Sequence, residues 1–295
     1  GTVTIDAALP MTLTNQGTLD LSGDTVNANV ALINQGSLTL SGTTVNPSLD
    51  NQGALTVFNG TSTLNGAFSN AATGTISIGP GTIFATNLLS VANGFTNNGV
   101  IDLNSHGCCA GINAQLSVVS GTLTNAATGV IRSNGGVSAN VLDAQVTNLG
   151  TLDVNFPLSV TNTGRTFTQS GGAIDVAAGN TFSVNGGTFD WQGGSLAGTG
   201  TYSFPGAAFA MTGAGARVLN GPTVSASSLT LVGGSLNLQA GTLNASGTTT
   251  IDAGATLQLS GGAFAPTGAV NVNGRLDLDV GVLNLGTGGT HTGTF

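Results

Sequence analysis

A short motif returns along the first half of this chain about every 20 residues, and it governs the fold. It consists of an apolar residue, often threonine, then asparagine, a brief spacer, glycine, a small residue and an alternating strand. One copy reads Leu13-Thr14-Asn15-Gln16-Gly17-Thr18-Leu19-Asp20-Leu21. The next read Ile33-Asn34-Gln35-Gly36-Ser37-Leu38-Thr39-Leu40 and Asn51-Gln52-Gly53-Ala54-Leu55-Thr56-Val57. Later copies begin at Asn70, Asn97, Asn125, Asn148 and Asn162. The intervals are 19 (15 to 34), 17 (34 to 51), 19 (51 to 70), and then 27, 28 and 23. That period is about one coil of a β-helix, and the longer intervals are coils with a loop bulging out. A solenoid tolerates such loops because each coil touches only its neighbours.

The alternation sets side-chain directions. In Leu19-Asp20-Leu21, Ile101-Asp102-Leu103, Leu152-Asp153-Val154 and Leu276-Asp277-Leu278 the apolar residues point one way and aspartate the other. The apolar side is expected to face the lumen and aspartate to face water. The recurring asparagines Asn15, Asn34, Asn51, Asn70, Asn97, Asn125, Asn148 and Asn162 are expected to form a structural ladder at a corner. Asparagine tolerates left-handed backbone, and its amide can bond the equivalent amide one coil away. A row of ligand-binding amides is the rival reading, weakened because stacked amides satisfy each other.

Composition agrees. Glycine supplies 48 of 295 residues, charged residues are 5%, and lysine and glutamate are absent. Threonine, serine and asparagine replace the usual helix formers and compete with the helical backbone for hydrogen bonds. The expected fold is therefore all-β: a single-stranded, right-handed parallel β-helix of roughly 15 coils over residues 1–295. After about residue 165 the punctuation changes to double glycines, at 171–172, 186–187, 193–194, 233–234 and 261–262. Phenylalanine enters the strands there, at Phe167, Phe182, Phe189, Phe204, Phe209 and Phe264. This reads as one continuous solenoid with a changed cross-section, since no linker intervenes.

Several function classes fall away on composition. The net charge is −8, and the only cations, Arg132, Arg165, Arg217 and Arg275, lie far apart. Nucleic-acid binding needs clustered positive charge. No run of ~18 apolar residues marks a membrane helix. A membrane barrel needs aromatic girdles, and aromatics are 5%. No membrane insertion is expected. β-Helical polysaccharide enzymes need clustered carboxylates, whereas these aspartates stand singly, with only Asp277 and Asp279 two apart in a strand. No catalytic centre, cofactor or metal site is expected. Thr-x-Thr pairs do not recur at the coil period, so they reflect β-propensity rather than an ice-binding face.

His106-Gly107-Cys108-Cys109 lies in an expanded interval and is expected on a loop outside the core. Cys108 and Cys109 could form a vicinal disulfide, remain as free or interchain thiols, or contribute to a metal site. The first fits an oxidising compartment, and the last lacks well-separated ligands.

The Asn-x-Gly-x-Leu/Ile copies at Asn15, Asn34, Asn51, Asn97 and Asn148 resemble passenger regions of bacterial surface adhesins. The types concerned are the filamentous-haemagglutinin-like and autotransporter-associated β-strand repeat proteins. Trp191-Gln192-Gly193-Gly194-Ser195-Leu196-Ala197-Gly198-Thr199-Gly200 is similar to glycine-rich repeats of very large bacterial surface proteins. The resemblance implies an extracellular or cell-surface location and a structural or adhesive role. It implies no receptor, though host or surface glycans are possible partners. The chain departs from those proteins in carrying no translocator domain. It starts without Met and shows no signal peptide, as a processed chain or a fragment would. Neither end reads as a cap. The ends are therefore expected to meet other copies or flanking coils of a longer chain, and a filament built by end-to-end stacking is the alternative function.

Overall fold

The computed structural model describes residues 2–5, 12–79, 87–104, 113–285 and 289–291. Among them there is no helix, and hence none long and apolar enough to cross a membrane. Every strand pairing whose register is given is parallel, and the chain is a parallel β-solenoid of about 12 turns. This is fewer than the roughly 15 expected from the shortest repeats. The difference arises because later turns are longer, with 27 residues from Asn70 to Asn97 and 28 from Asn97 to Asn125. The chain divides into two compact units, residues 1–159 and 160–295.

In the first unit the coils are short strands joined by tight corners, such as Ala31–Asn34, Ser37–Ser41 and Thr44–Val45. Each strand lies in register on its counterpart one turn away. Leu19, Leu38, Leu55, Ile76, Ile101, Ile131 and Leu152 form one column. Leu21, Leu40, Val57, Ile78, Leu103, Ser133 and Val154 form the next inward column. From Leu38 and Leu40 onward these side chains are buried. Like residues stacked at the inter-strand spacing of ~4.8 Å fill the lumen, and each buried one removes its apolar surface from water. The residues between them face outward: Asp20, Thr39, Thr56, Ser77, Asp102, Arg132 and Asp153 stand one above another.

From the second copy of the motif to Gly150, glycine after the asparagine is required by space. A Cβ on Gly99 would lie 2.1 Å from the carbonyl oxygen of Gly74 and 2.3 Å from that of Ala71. The corners of adjacent coils touch through backbone, so no larger residue fits.

The second unit uses aromatic packing. Phe167, Phe182, Phe189, Phe204, Phe209, Trp191 and Tyr202 are at most 1% exposed. Their rings contact in series, with Phe189 and Phe204 stacked at 4.7 Å and Phe182 and Tyr202 edge-on at 6.0 Å. Such pairs add to simple burial. The Tyr202 hydroxyl lies 2.7 Å from the carbonyl oxygen of Ile174 and 2.8 Å from that of Ala197. At double-glycine corners the chain turns through left-handed backbone, as at Gly187 (φ 68°) and Gly194 (φ 68°). Any other residue would be strained there.

Candidate functional site

The recurring asparagines of the first unit form a continuous side-chain column. Asn15 Nδ2 donates to Asn34 Oδ1 at 2.8 Å, Asn34 to Asn51 at 2.8 Å, and Asn51 to Asn70 at 2.8 Å. Asn70 donates to Asn97 at 2.7 Å, Asn97 to Asn125 at 2.8 Å, and Asn125 to Asn148 at 2.7 Å. From Asn34 to Asn148 these residues are at most 1% exposed. The second amide proton goes to main-chain carbonyls. Asn97 Nδ2, for example, also bonds Gly99 O at 3.2 Å and Val130 O at 3.3 Å. A buried amide is costly unless satisfied, and here each link satisfies both partners. Asn15 and Asn34 border a cavity of about 250 Å³ in the first described coils, but their amide protons are already engaged with the next asparagine and with the carbonyls of Ser37 and Ala54, which leaves a ligand little to bond.

Two details differ from the sequence reading. The ladder asparagines do not use left-handed backbone; among described residues other than glycine, only Asn59 has positive φ, at 56°. The glycines that follow, Gly36, Gly53, Gly74, Gly99, Gly129 and Gly150, do not use it either; they are held to glycine by the close approach of the neighbouring coil. Asn162, in the second unit, sends its Nδ2 to the carbonyls of Arg165 (3.1 Å), Gly186 (3.4 Å) and Thr188 (3.0 Å). It serves as a corner brace for its own turn and the next.

Further side-chain stacks flank the buried one. Gln16, Gln35 and Gln52 are linked by amide bonds of 3.2 and 3.1 Å. Asn46 Nδ2 donates to Asn27 Oδ1, and Asn65 Nδ2 to Asn46 Oδ1. The last set repeats at the same 19-residue interval as the early motif, so periodicity alone could have revealed it.

The carboxylates remain dispersed. Within either unit no strand aspartate stands opposite another in the given registers. Asp50 accepts from Ser69 Oγ and from Gln52 Nε2, both at 2.6 Å, so both its oxygens are engaged. Asp190 accepts from Thr212 at 2.8 Å and Gln192 at 2.8 Å. Asp277 pairs with Arg275, while Asp279 accepts from Gln258 at 2.7 Å. Among the described residues no three His, Cys, Asp or Glu side chains gather as metal ligands do. Cys108, Cys109 and His106 lie outside the described residues.

One cation is buried. Arg217 is 5% exposed and lies 5.8 Å from the centre of the Trp191 ring. Its guanidinium donates to the carbonyls of Gly213 (3.0 Å), Gly215 (2.9 Å) and Gln192. Burial pushes its pKa below the ordinary arginine value, and the charge of Asp190 opposes that shift. This clamp joins the corner at 192 to the corner at 213–215. An isolated arginine carries no sequence signal for such a role.

Comparisons with protein-family models, with curated proteins and with solved structures gave no match.

Proposed function

We propose that this chain is a non-catalytic structural and adhesive module of an extracellular, cell-surface protein, with its stacked coils serving as scaffold and its outer faces as contact surface. The bacterial adhesin resemblance of the asparagine-glycine repeats favours this setting. The observation that carries the reading is the disposition of polar side chains. Amides and hydroxyls bond their counterparts one coil away, and the carboxylates are spread singly among them. A cavity of about 350 Å³ on the first unit has one carboxylate, Asp50, and both its oxygens are already engaged. Glycosidic cleavage calls for two carboxyl groups across one bond.

A second reading, an extracellular filament subunit stacking end to end, is favoured by exposed apolar residues in the last described turn. Leu278, Val280 and Val282 are 54%, 72% and 59% exposed. Apolar surface beside a strand edge invites pairing with another coil.

The experiment is to incubate the purified chain with immobilised polysaccharides and cell-surface material. Retained protein and released reducing ends are measured, and the preparation is imaged by electron microscopy. Retention without cleavage, from discrete particles, is expected. Cleavage abolished by a single Asp→Asn replacement overturns the reading, and filaments move the assignment to the second.

A further inference from the structure

Resting on the adhesive reading, we infer that a groove on the second unit is a binding site for a neutral, linear oligosaccharide. The groove has a volume of about 590 Å³ and lies across the strands Thr201–Met211, Ala216–Leu231 and Gly234–Ala245 and the segment that follows Ala263–Phe264, where Ala265 and Thr267 line it. Four coils at ~4.8 Å give it a length of about 14 Å, enough for a tri- or tetrasaccharide.

Two parallel columns form its walls. In the first, Ser203 stands opposite Ser225, and Ser225 opposite Asn244. These three side chains are half-buried, line the groove, and bond nothing among the described residues. Elsewhere on this chain, outward amides and hydroxyls are repeatedly tied to the adjacent coil, as in the Gln16 and Asn27 stacks. The second column is Ser227, Ser246 and Thr267. Each commits its proton to a carbonyl of another coil: Ser227 Oγ to Phe204 O (3.2 Å), Ser246 Oγ to Ala226 O (3.4 Å), Thr267 Oγ1 to Ser246 O (3.5 Å). Ser246 and Thr267 therefore keep hydroxyl lone pairs to offer, whereas Ser227 Oγ already accepts the Gly206 N–H. One wall offers donors and acceptors and the other acceptors, repeated at the coil spacing.

The groove also has a stop. Between Phe204 and Ala208 the register slips, because Pro205, Gly206 and Ala207 face the single residue Ser227. Gly206 turns with φ 67°, and its N–H donates to Ser227 Oγ at 2.6 Å, fixing the bulge as a step.

Ligand chemistry follows from the lining. No charged side chain is present, so an acidic glycan, nucleic acid or ionic peptide has no counter-charge. Parallel pairing occupies the strand edges, so an added peptide strand has none to join. A chain of hydroxyls, each both donor and acceptor and recurring about once per coil, matches both walls. Phe204 is only 1% exposed, so sugars gain no aromatic face. Binding should be modest, with Kd of about 1 mM for a tetrasaccharide.

The test titrates the purified chain with cellotetraose, maltotetraose and mannotetraose, with tetragalacturonate as the acidic control, by ligand-observed NMR. S225V and N244L remove donors from the unengaged wall, T39V on the first unit is the control, and urea midpoints show that all remain folded. The expected result is binding of at least one neutral tetrasaccharide, weakened about tenfold or more by S225V and N244L and unchanged by T39V. No neutral binding up to about 10 mM, preference for tetragalacturonate, or equal affinity in the variants overturns the site. Surface retention by wild type that persists in both groove variants sinks the groove alone. Loss of retention by wild type, or cleavage of a bound tetrasaccharide, sinks the adhesive reading instead.

Discussion

At the residue scale, the decisive group is a primary amide with nowhere to find water. Asn97 accepts from Asn70 and donates to Asn125, Gly99 and Val130. Asn97→Leu has similar volume but leaves Asn125 Oδ1 without its donor and Asn70 Nδ2 without one acceptor. Stability in urea should fall by about 2–4 kcal/mol, since orphaned buried polar groups carry their full desolvation cost. Asn97→Asp should be worse, because a carboxylate cannot donate onward and its charge would be buried without a cation. An unchanged midpoint would mean the ladder is incidental. The identity of these residues was legible from the 17- and 19-residue spacings. Their backbone was not, because these corners are turned without left-handed residues, and the glycine two to four residues later is set by the close approach of the next coil. Asn162 carries the same motif letters, and its Nδ2 donates to the carbonyls of Arg165, Gly186 and Thr188.

At the element scale, the same asymmetry explains why the repeat changes. In the second unit Gln169 stands opposite Trp191, Met211 opposite Leu231, Leu231 opposite Ile251, and Ile251 opposite Val272. A column of amides is satisfied and so is a column of apolar residues; a mixture is not. Where an amide stands opposite a ring inside the second unit, Gln169 Nε2 turns to the carbonyl of Gly171 and Trp191 Nε1 to that of Gly194. The polar atoms that remain in the aromatic lumen must likewise find backbone partners. Burial raises the Tyr202 phenol far above its ordinary value, with Asp175 adding to the shift and the bond to Ala197 opposing it. A raised acid is protonated in the folded state while the unfolded chain ionises above about pH 10. Its contribution to stability is therefore intact below pH 10 and falls as pH climbs beyond it. Tyr202→Phe should cost about 1 kcal/mol at neutral pH and flatten the alkaline decline of the urea midpoint. A decline of equal slope in the variant would assign it to other groups. Phenylalanines between double glycines signalled a new punctuation, but not which ring pairs would touch, since ring contacts depend on coil register.

At the scale of the whole molecule, the parallel solenoid was legible because its two causes are periodic: lumen-facing aliphatics alternating with polar residues, and one amide per coil. What periodicity did not reveal was aperiodic. The Arg217 clamp uses one residue with no repeat, and the step at Pro205–Ala207 interrupts a column rather than continuing it. The number of turns, about 12, was overestimated for the same reason, since coils with longer excursions are invisible to a count based on the shortest repeats. The central claim is that each coil of the first unit is pinned to the next at the ladder corner, by side chain and backbone together. Native-state amide hydrogen exchange reads that directly. The N–H groups of Ala71, Asn98, Ala126 and Leu149 donate to the carbonyls of Asn51, Asn70, Asn97 and Asn125 at 2.8–2.9 Å. They should be among the slowest to exchange, opening only with the unit as a whole, and Asn97→Leu should accelerate all four together. Exchange of these four within seconds at neutral pH, while the flanking strands stay protected, would contradict the claim.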